Sequence, residues 1–362
     1  MDEKKTLNHL QSEVIELLRF PLMVLVVFVH MLPFEQKPLN LNLDGENIYN
    51  TITELISHYL GRLPVPCFFL FSGYFFFFKI SKLNTEIYFS QLKKRIKTLL
   101  IPYISWNIIY ILLVYLKNIV FYMLDKNFDE IYMGIKDLSL YNIFWGLPIN
   151  YPLWYVRDLI VMTIAAPLFY YLFKYTKFYG LLIILAIYLS TIEFNIPGLG
   201  TTAIFYFGLG AFMGLYKKNM LSIVISYRKI SMLLAVIALG FVGYYNASEY
   251  EEYWVRIFLI FGIVVLLFGG YKCLTHEKLK KVFILLAPTV FFIYGSHMIY
   301  ILGWLKGALL KSPLSISNLG MLIGYFIIPF ICICIILIIY RFMEKYCPKV
   351  LSFITGNRQI HI

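Results

Sequence analysis

The sequence predicts an all-α integral membrane protein, a bundle of about ten transmembrane helices with both termini cytoplasmic. Three observations carry that expectation. Of 362 residues, 60% are hydrophobic and only 14% charged, at a mean hydropathy of +0.75, whereas an ordinary soluble domain is about one quarter charged. The apolar residues gather into ten runs, most of them near the length of about 20 residues that a helix needs to cross hydrocarbon. Basic and acidic residues alternate among the connections between those runs. A soluble enzyme is excluded. Aromatic residues make up 19% of the chain, which suits helix walls and interface belts rather than disorder.

The runs fall near residues 14–32, 55–78, 98–124, 152–173, 179–193, 200–216, 230–246, 253–271, 282–305 and 318–341. The first follows a polar stretch, 1–13, read as a cytoplasmic tail; the apolar run after it has no small-residue cleavage site, so the segment is expected to stay attached. The second is broken by Pro64 and Pro66 towards its outer half and carries Ser72 and Gly73 towards its inner half. Such breaks are tolerated at depth where protein or water meets the freed backbone groups, so a cavity wall is expected here. The fifth and sixth runs are short and joined by the tight turn EFNIPGLG. Residues 14–341 read as one membrane domain and 342–362 as a cytoplasmic tail. No soluble domain, long external loop or internal repeat fits between the runs.

Lys and Arg are retained on the cytoplasmic side of a membrane protein. The second, fourth, sixth and eighth connections hold Lys79, Lys82, Lys93, Lys94, Arg95 and Lys97; Lys174 and Lys177; Lys217, Lys218, Arg228 and Lys229; and Lys272, Lys278, Lys280 and Lys281. The odd connections hold Glu35, Asp44 and Glu46; Asp125, Asp129, Glu130 and Asp137; and Glu249, Glu251 and Glu252. Lys345, Lys349 and Arg358 add to the inner side. The expected location is the cell membrane, and topology accounts for the net charge of +12 without a nucleic-acid partner. Cys67, Cys273, Cys332, Cys334 and Cys347 show no metal-type spacing and read as packing thiols, with no metal expected.

An ionisable group at membrane depth is a candidate site by default. The first run supplies Glu16, Arg19 and His30. Arg19 and His30 are eleven residues apart, which on a helix is about 20° from full register and about 16 Å along the axis. One face therefore carries both. A plainer reading has Glu16 neutralise Arg19 at i,i+3 while His30 is an interfacial hydrogen-bonding residue. The fourth run opens YPLWYVRDLIVM, placing Arg157 and Asp158 about two turns in; as neighbours they point about 100° apart and need not pair. The ninth carries His297 in FFIYGSHMIY. His30, Arg157, Asp158 and His297 are expected at similar depth around one polar cavity, the alternative being a buried network that only fixes packing. Glu193 and Arg256 read as outward-facing interfacial anchors, Arg256 within reach of Glu252 at i,i+4. Lys93, Lys94, Arg95 and Lys97, in QLKKRIKTLLIPY, form a basic mouth suited either to a phosphorylated ligand or to topology alone.

At these residues the chain resembles the acyltransferase family 3 membrane proteins. The Arg-ten residues-His spacing of Arg19 and His30 matches the family's defining motif, and five further blocks follow in the family's order: PVPCFFLFSGYFFF, KKRIKTLLIPYISWN, LWYVRDLI, FFIYGSHMIYI and PKVLSFITGNR. Two features depart from it. The family often has an Arg-two residues-Arg pair where Arg95 is here followed by Thr98, and no esterase-like domain of the kind many members carry lies within these residues. The resemblance implies an O-acyltransferase taking an acyl group, first of all acetyl, from acyl-coenzyme A to a hydroxyl of a cell-envelope carbohydrate or glycolipid in the membrane lipid. It implies that His30 is catalytic and Arg19 handles the donor. Candidate donor-binding residues are Ser72, Gly73, Lys93, Lys94, Arg95 and Lys97; candidate acceptor-binding or supporting residues are Trp154, Arg157, Asp158 and His297. Imidazole suits a general base, and an acyl-histidine route stays open beside direct transfer. The alternative function is a transporter or flippase in which the same polar stripe moves protons or substrate without acyl chemistry.

Overall fold

The computed structural model describes residues 2–31, 44–80, 82–124, 139–245 and 248–357, and no strand occurs among the described residues. Glu35, Asp125, Asp129, Glu130, Asp137 and Arg358, part of the charge pattern above, lie outside them. Helix α1, Asp2–Val29, absorbs the expected N-terminal tail into its first turns, continues through Pro21 and stops one residue before His30. Helix α2, Gly45–Thr53, is capped by the Asp44 carboxylate, which accepts from the Asn47 amide at 2.8 Å. A π-helical turn, Glu54–Tyr59, and a 3-10 turn, Leu60–Arg62, lead into α3, Pro64–Phe77. Pro64 and Pro66 stand in the first turn of α3, where the missing amide has no helical partner to lose.

Helix α4, Thr85–Arg95, passes through a second π-helical turn, Ile96–Leu100, into α5, Ile101–Met123. Helices α6, Trp154–Ile164, and α7, Ala166–Thr176, are bent by 54° where Pro167 restarts the helix. Helices α8, Phe178–Leu189, and α9, Thr201–Leu215, follow, then α10, Met220–Tyr244, and α11, Glu251–Cys273. Helix α12, Glu277–Leu286, is separated from α13, Val290–Ser296, by a 3-10 turn at Ala287–Thr289. Helices α14, Ile301–Lys311, α15, Asn318–Tyr346, and α16, Pro348–Thr355, complete the chain.

All ten apolar runs fall on helix, but not all of those helices are full spans. Six are long and apolar enough to cross a membrane: Gly45–Phe77, Thr85–Met123, Met220–Tyr244, Glu251–Cys273, Glu277–Ser296 and Asn318–Tyr346, with the bent pair α6–α7 a seventh. Helices α8 and α9 hold 12 and 15 residues, about 18 and 22 Å at 1.5 Å per residue, short of a 30 Å core. In α1, Glu13, Glu16 and Arg19 fall within the last eighteen residues. The expected ten is thus a count of apolar helical segments.

Helix α1 is the central post. Leu17, Leu22, Met23 and Val27 are at most 1% exposed, and α1 touches α3, α10, α11, α12, α13 and α15. Outer helices show the opposite pattern: Ile230, Met232, Leu233 and Val236 of α10 are all more than half exposed. In water such a face would aggregate, whereas in lipid it is solvated. Helices α3 and α9 pack backbone to backbone. A Cβ on Gly73 would lie 2.1 Å from the Phe207 carbonyl oxygen, and one on Gly210 2.1 Å from that of Leu70. Small residues are what allow helices to approach so closely in a membrane. Gly73, a candidate donor-binding residue from the sequence, is therefore a packing residue.

Arg256 also differs from the outward anchor expected, while Glu193 is exposed as expected. Arg256 is 3% exposed, pairs with Glu193 and at 3.2 Å with Glu252, and lies with its guanidinium 5.1 Å from the Tyr188 ring centre. Arg62 reaches the other oxygen of Glu252 at 3.0 Å. A buried cation needs such partners, and this cluster joins α11 to the α8–α9 connection and to the turn before α3. Replacing Gly73 or Gly210 by Ala is expected to destabilise the detergent-solubilised protein by about 1–3 kcal/mol through overpacking. Thermal unfolding checks this, and an unchanged midpoint would contradict the close approach of α3 and α9.

Candidate functional site

Five elements enclose a cavity of about 360 Å³. Helix α1 contributes Ile15, Arg19, Met23 and Val26, and α3 contributes Val65, Phe68, Ser72 and Phe75. Each set repeats at three or four residues, so each is one stripe of its helix. Tyr155, Val156 and Leu159 come from α6, and Val290, Phe291 and Tyr294 from α13. The turn at Ile96–Leu100 adds Thr98 and Leu99 beside Arg95. Three of the five owe their direction to irregular backbone: the π-helical turn after Arg95, the 3-10 turn before Val290, and the proline start of α3. Broken helices at membrane depth are tolerated where the freed groups line a cavity, and π-helical turns recur at functional sites.

The cavity is polar at one end. Arg19 makes the expected i,i+3 ion pair with Glu16 at 3.0 Å and still lines the cavity. Arg95 lies half-buried with its guanidinium 6.0 Å from the Phe76 ring centre, and its Nε has no hydrogen-bond partner among the described residues. Lys93, Lys94 and Lys97 are exposed and stand outside the lining. On helix α4 Arg95 points about 160° from Lys93 and about 100° from Lys94, so it can line the cavity while the lysines stay on the outer surface at the same end. Ser72 lines the wall between, while Tyr155 stands edge-on to Phe69, ring centres 4.7 Å apart, and to Tyr294, 6.0 Å apart.

Neither His30 nor His297 lines the cavity, and each stands about one turn beyond its lining. On α1 the lining stripe ends at Val26, and His30 is the next residue on the same face. On α13 the lining ends at Tyr294, whose hydroxyl donates to the Pro152 carbonyl, and His297 follows three residues on. The two imidazoles are 5.3 Å apart, centre to centre. His297 is fully buried, and its Nδ1 lies 3.1 Å from the Ile293 carbonyl oxygen and 2.9 Å from that of Tyr294. Two acceptors at Nδ1 fix the neutral tautomer with the proton there. Nε2 is then a lone pair, and it has no hydrogen-bond partner among the described residues. The His30 carbonyl accepts from Lys306 Nζ at 2.7 Å, a cation at the C-terminal end of α1, where a helix dipole favours positive charge.

Arg157 and Asp158 do not join the cavity. They pair with each other, Nη2 to Oδ1 at 2.7 Å and Nε to Oδ1 at 2.9 Å, and Arg157 also donates to the Trp145 and Gly146 carbonyls. Neighbours at 100° need not pair, and these two do because the long guanidinium folds back across that angle. Trp154, half-buried at the first position of α6, lies outside the lining, and its neighbour Tyr155 takes the place expected for it. Lys306, Tyr155 and Tyr294 went unnoticed in the sequence. Lys306 carried a legible signal, a lysine inside ILGWLKGALL, one residue beyond the apolar run as drawn. Tyr155 and Tyr294 carried none among 30 tyrosines. No group of three or more His, Cys, Asp or Glu residues that could hold a metal occurs among the described residues. Cys67 and Cys332 are buried, while Cys334 and Cys347 are exposed.

The chain is 24% identical over 364 residues to the succinoglycan biosynthesis protein ExoH of Rhizobium meliloti (strain 1021), covering 95% of this chain and 92% of the relative. No solved structure matches. The family model described as an acyltransferase domain matches residues 13–341, from the turn before Arg19 to the end of α15's apolar core, and the chain belongs to that acyltransferase family.

Proposed function

We propose that the protein is a membrane O-acyltransferase that moves an acyl group, acetyl in the simplest case, from acyl-coenzyme A to a hydroxyl of a cell-envelope polysaccharide or its lipid-linked precursor. The single observation that carries this reading is the continuous α1 stripe from Ile15 and Arg19 through Met23 and Val26 to His30, cavity-lining up to its last turn. The polysaccharide acceptor is supported by the relative named for succinoglycan biosynthesis. Both termini and the basic mouth lie on the cytoplasmic face in this reading, where acyl-coenzyme A is available, and the membrane is the cell membrane.

The residues fit a donor of this kind. Arg95 and Arg19, with Lys93, Lys94 and Lys97 at the surface beside them, offer cations to phosphates. Ser72, Tyr155 and Tyr294 give the apolar cavity a few polar groups for an amide-bearing arm. The thioester then lies towards His30. The His30 imidazole takes the proton from the acceptor hydroxyl as its oxygen bonds to the thioester carbonyl carbon. The carbon–sulfur bond breaks, and the thiolate leaves with the proton returned by the imidazolium. The His297 ring, 5.3 Å from that of His30, steadies it by packing, and Lys306 holds the His30 carbonyl just beyond the end of α1. Arg157 and Asp158 serve the architecture, holding the segment before α6.

Replacing His30 by Ala is expected to lower kcat by about 100-fold or more, the range of a lost general base, with the protein still folded and membrane-inserted. Transfer retained in that variant would remove His30 from the chemistry, and vectorial substrate movement independent of acyl-coenzyme A would favour a transporter. Arg95→Gln is expected to raise the donor KM by about tenfold, as for loss of one charged hydrogen bond, and by more than any single replacement of Lys93, Lys94 or Lys97. Equal effects on donor and acceptor KM would make these residues topological anchors only. An epitope placed after residue 362 should become accessible to antibody only when the inner face is opened, and labelling of intact cells would reverse the assignment of sides.

A further inference from the structure

The last block singled out in the sequence, PKVLSFITGNR, has no place in the chemistry above, yet its helix is built into the bundle. In α16, Leu351 is 1% exposed, Ile354 5% and Thr355 0%. The Trp106 indole donates to the Ile354 carbonyl at 3.0 Å. Gly356 ends the helix in the left-handed region at φ +66°. A Cβ there would lie 2.9 Å from Thr98 Cα, 3.0 Å from the Thr98 carbonyl oxygen and 3.1 Å from that of Lys97. Those are backbone atoms of the π-helical turn that directly follows Arg95 and brings Thr98 and Leu99 to the cavity.

Trp106 also faces the opposite wall. A Cβ on Gly295 would meet its indole at 2.4 Å, and the Gly295 carbonyl accepts from Asn150 Nδ2 at 2.8 Å. Gly295 stands between Tyr294, which lines the cavity, and His297, which faces His30. One short helix and one indole therefore touch both the turn that carries Arg95 and the helix that carries Tyr294. Of these contacts, the one at Gly356 requires a glycine twice over, for its backbone angle and for the missing Cβ.

We propose that α16 is a positioning element of the donor cavity, with Gly356 seating the turn at Ile96–Leu100 and thereby fixing Arg95. The inference rests on the acyl-coenzyme A reading given above and deepens it. In Gly356→Ala the added carbon displaces a backbone, because no flexible side chain is there to yield. A displacement near 1 Å is expected to raise donor KM and Kd by about tenfold to 100-fold, with kcat at saturating donor and the acceptor KM within about twofold of wild type. A role in general stability alone would lower active enzyme without moving the donor KM.

The test measures acyl transfer and, separately, binding of coenzyme A to the purified full-length protein by calorimetry, for wild type, Gly356→Ala and Trp106→Phe. The second variant removes the hydrogen bond to Ile354 while keeping an aromatic ring, so it stays informative should the first fail to fold. Weakened coenzyme A binding in either folded variant, with the acceptor KM preserved, supports the proposal. Wild-type affinity in both folded variants overturns it and leaves the acyltransferase reading intact. Absence of coenzyme A binding by the wild-type protein overturns the acyl-coenzyme A reading, and the inference with it.

Discussion

Charge is costly in hydrocarbon unless it is paired, hydrogen-bonded or wet, and that constraint organises this bundle. Arg256 is held by Glu193, Glu252 and the Tyr188 ring, Arg157 by Asp158 and two carbonyls, and Lys306 by the end of α1. Each of these cations fixes a junction between segments. Arg19 and Arg95 differ, because they stand in the wall of a cavity. His297 differs again, buried with Nδ1 against backbone carbonyls, Nε2 without a hydrogen-bond partner among the described residues, and its ring centre 5.3 Å from that of His30. Structural charges are thus settled locally, and Arg19 and Arg95 are left in the wall of the cavity.

That space is made by helices that are not regular. Two π-helical turns, two 3-10 turns and a proline-led helix start surround it or lead into it. The π-helical turn after Arg95 brings Thr98 and Leu99 into the wall beside it. Irregularity costs backbone hydrogen bonds, and close packing elsewhere offsets it: the glycine-mediated approach of α3 to α9, and the seat of Gly356 on the turn after Arg95.

Much of this was legible in the sequence because it depends on period. The eleven-residue separation of Arg19 and His30 specifies one face of α1, and that face lines the cavity for three turns. His30 and His297 were expected together from depth alone, and their rings are adjacent. What could not be read depends on backbone that departs from period or on reach across space. Period sets Arg95 at least 100° from Lys93, Lys94 and Lys97 on a helix, but only the fold shows which of those sides meets the cavity. The fold-back of Arg157 onto Asp158 needs the carbonyls of Trp145 and Gly146, which only the fold brings near. Arg256 looked like an anchor because Glu193 and the Tyr188 carbonyl, which hold it in the fold, are 63 and 68 residues away. Gly73 looked like a ligand contact because the helix against which it packs lies far along the chain.

The central claim is one path, from a cationic mouth at Arg95 to the histidine pair at His30 and His297. Two photoreactive coenzyme A thioesters, one reactive at the adenine and one at the acyl end, test it most directly when their cross-links to the full-length protein are mapped by mass spectrometry. The account predicts adenine-end labelling around Lys93–Thr98 and acyl-end labelling on Val26–His30 and Tyr294–His297. Acyl-end labels scattered over the lipid-facing surface of α10 or α15, or no label displaced by free coenzyme A, would contradict it.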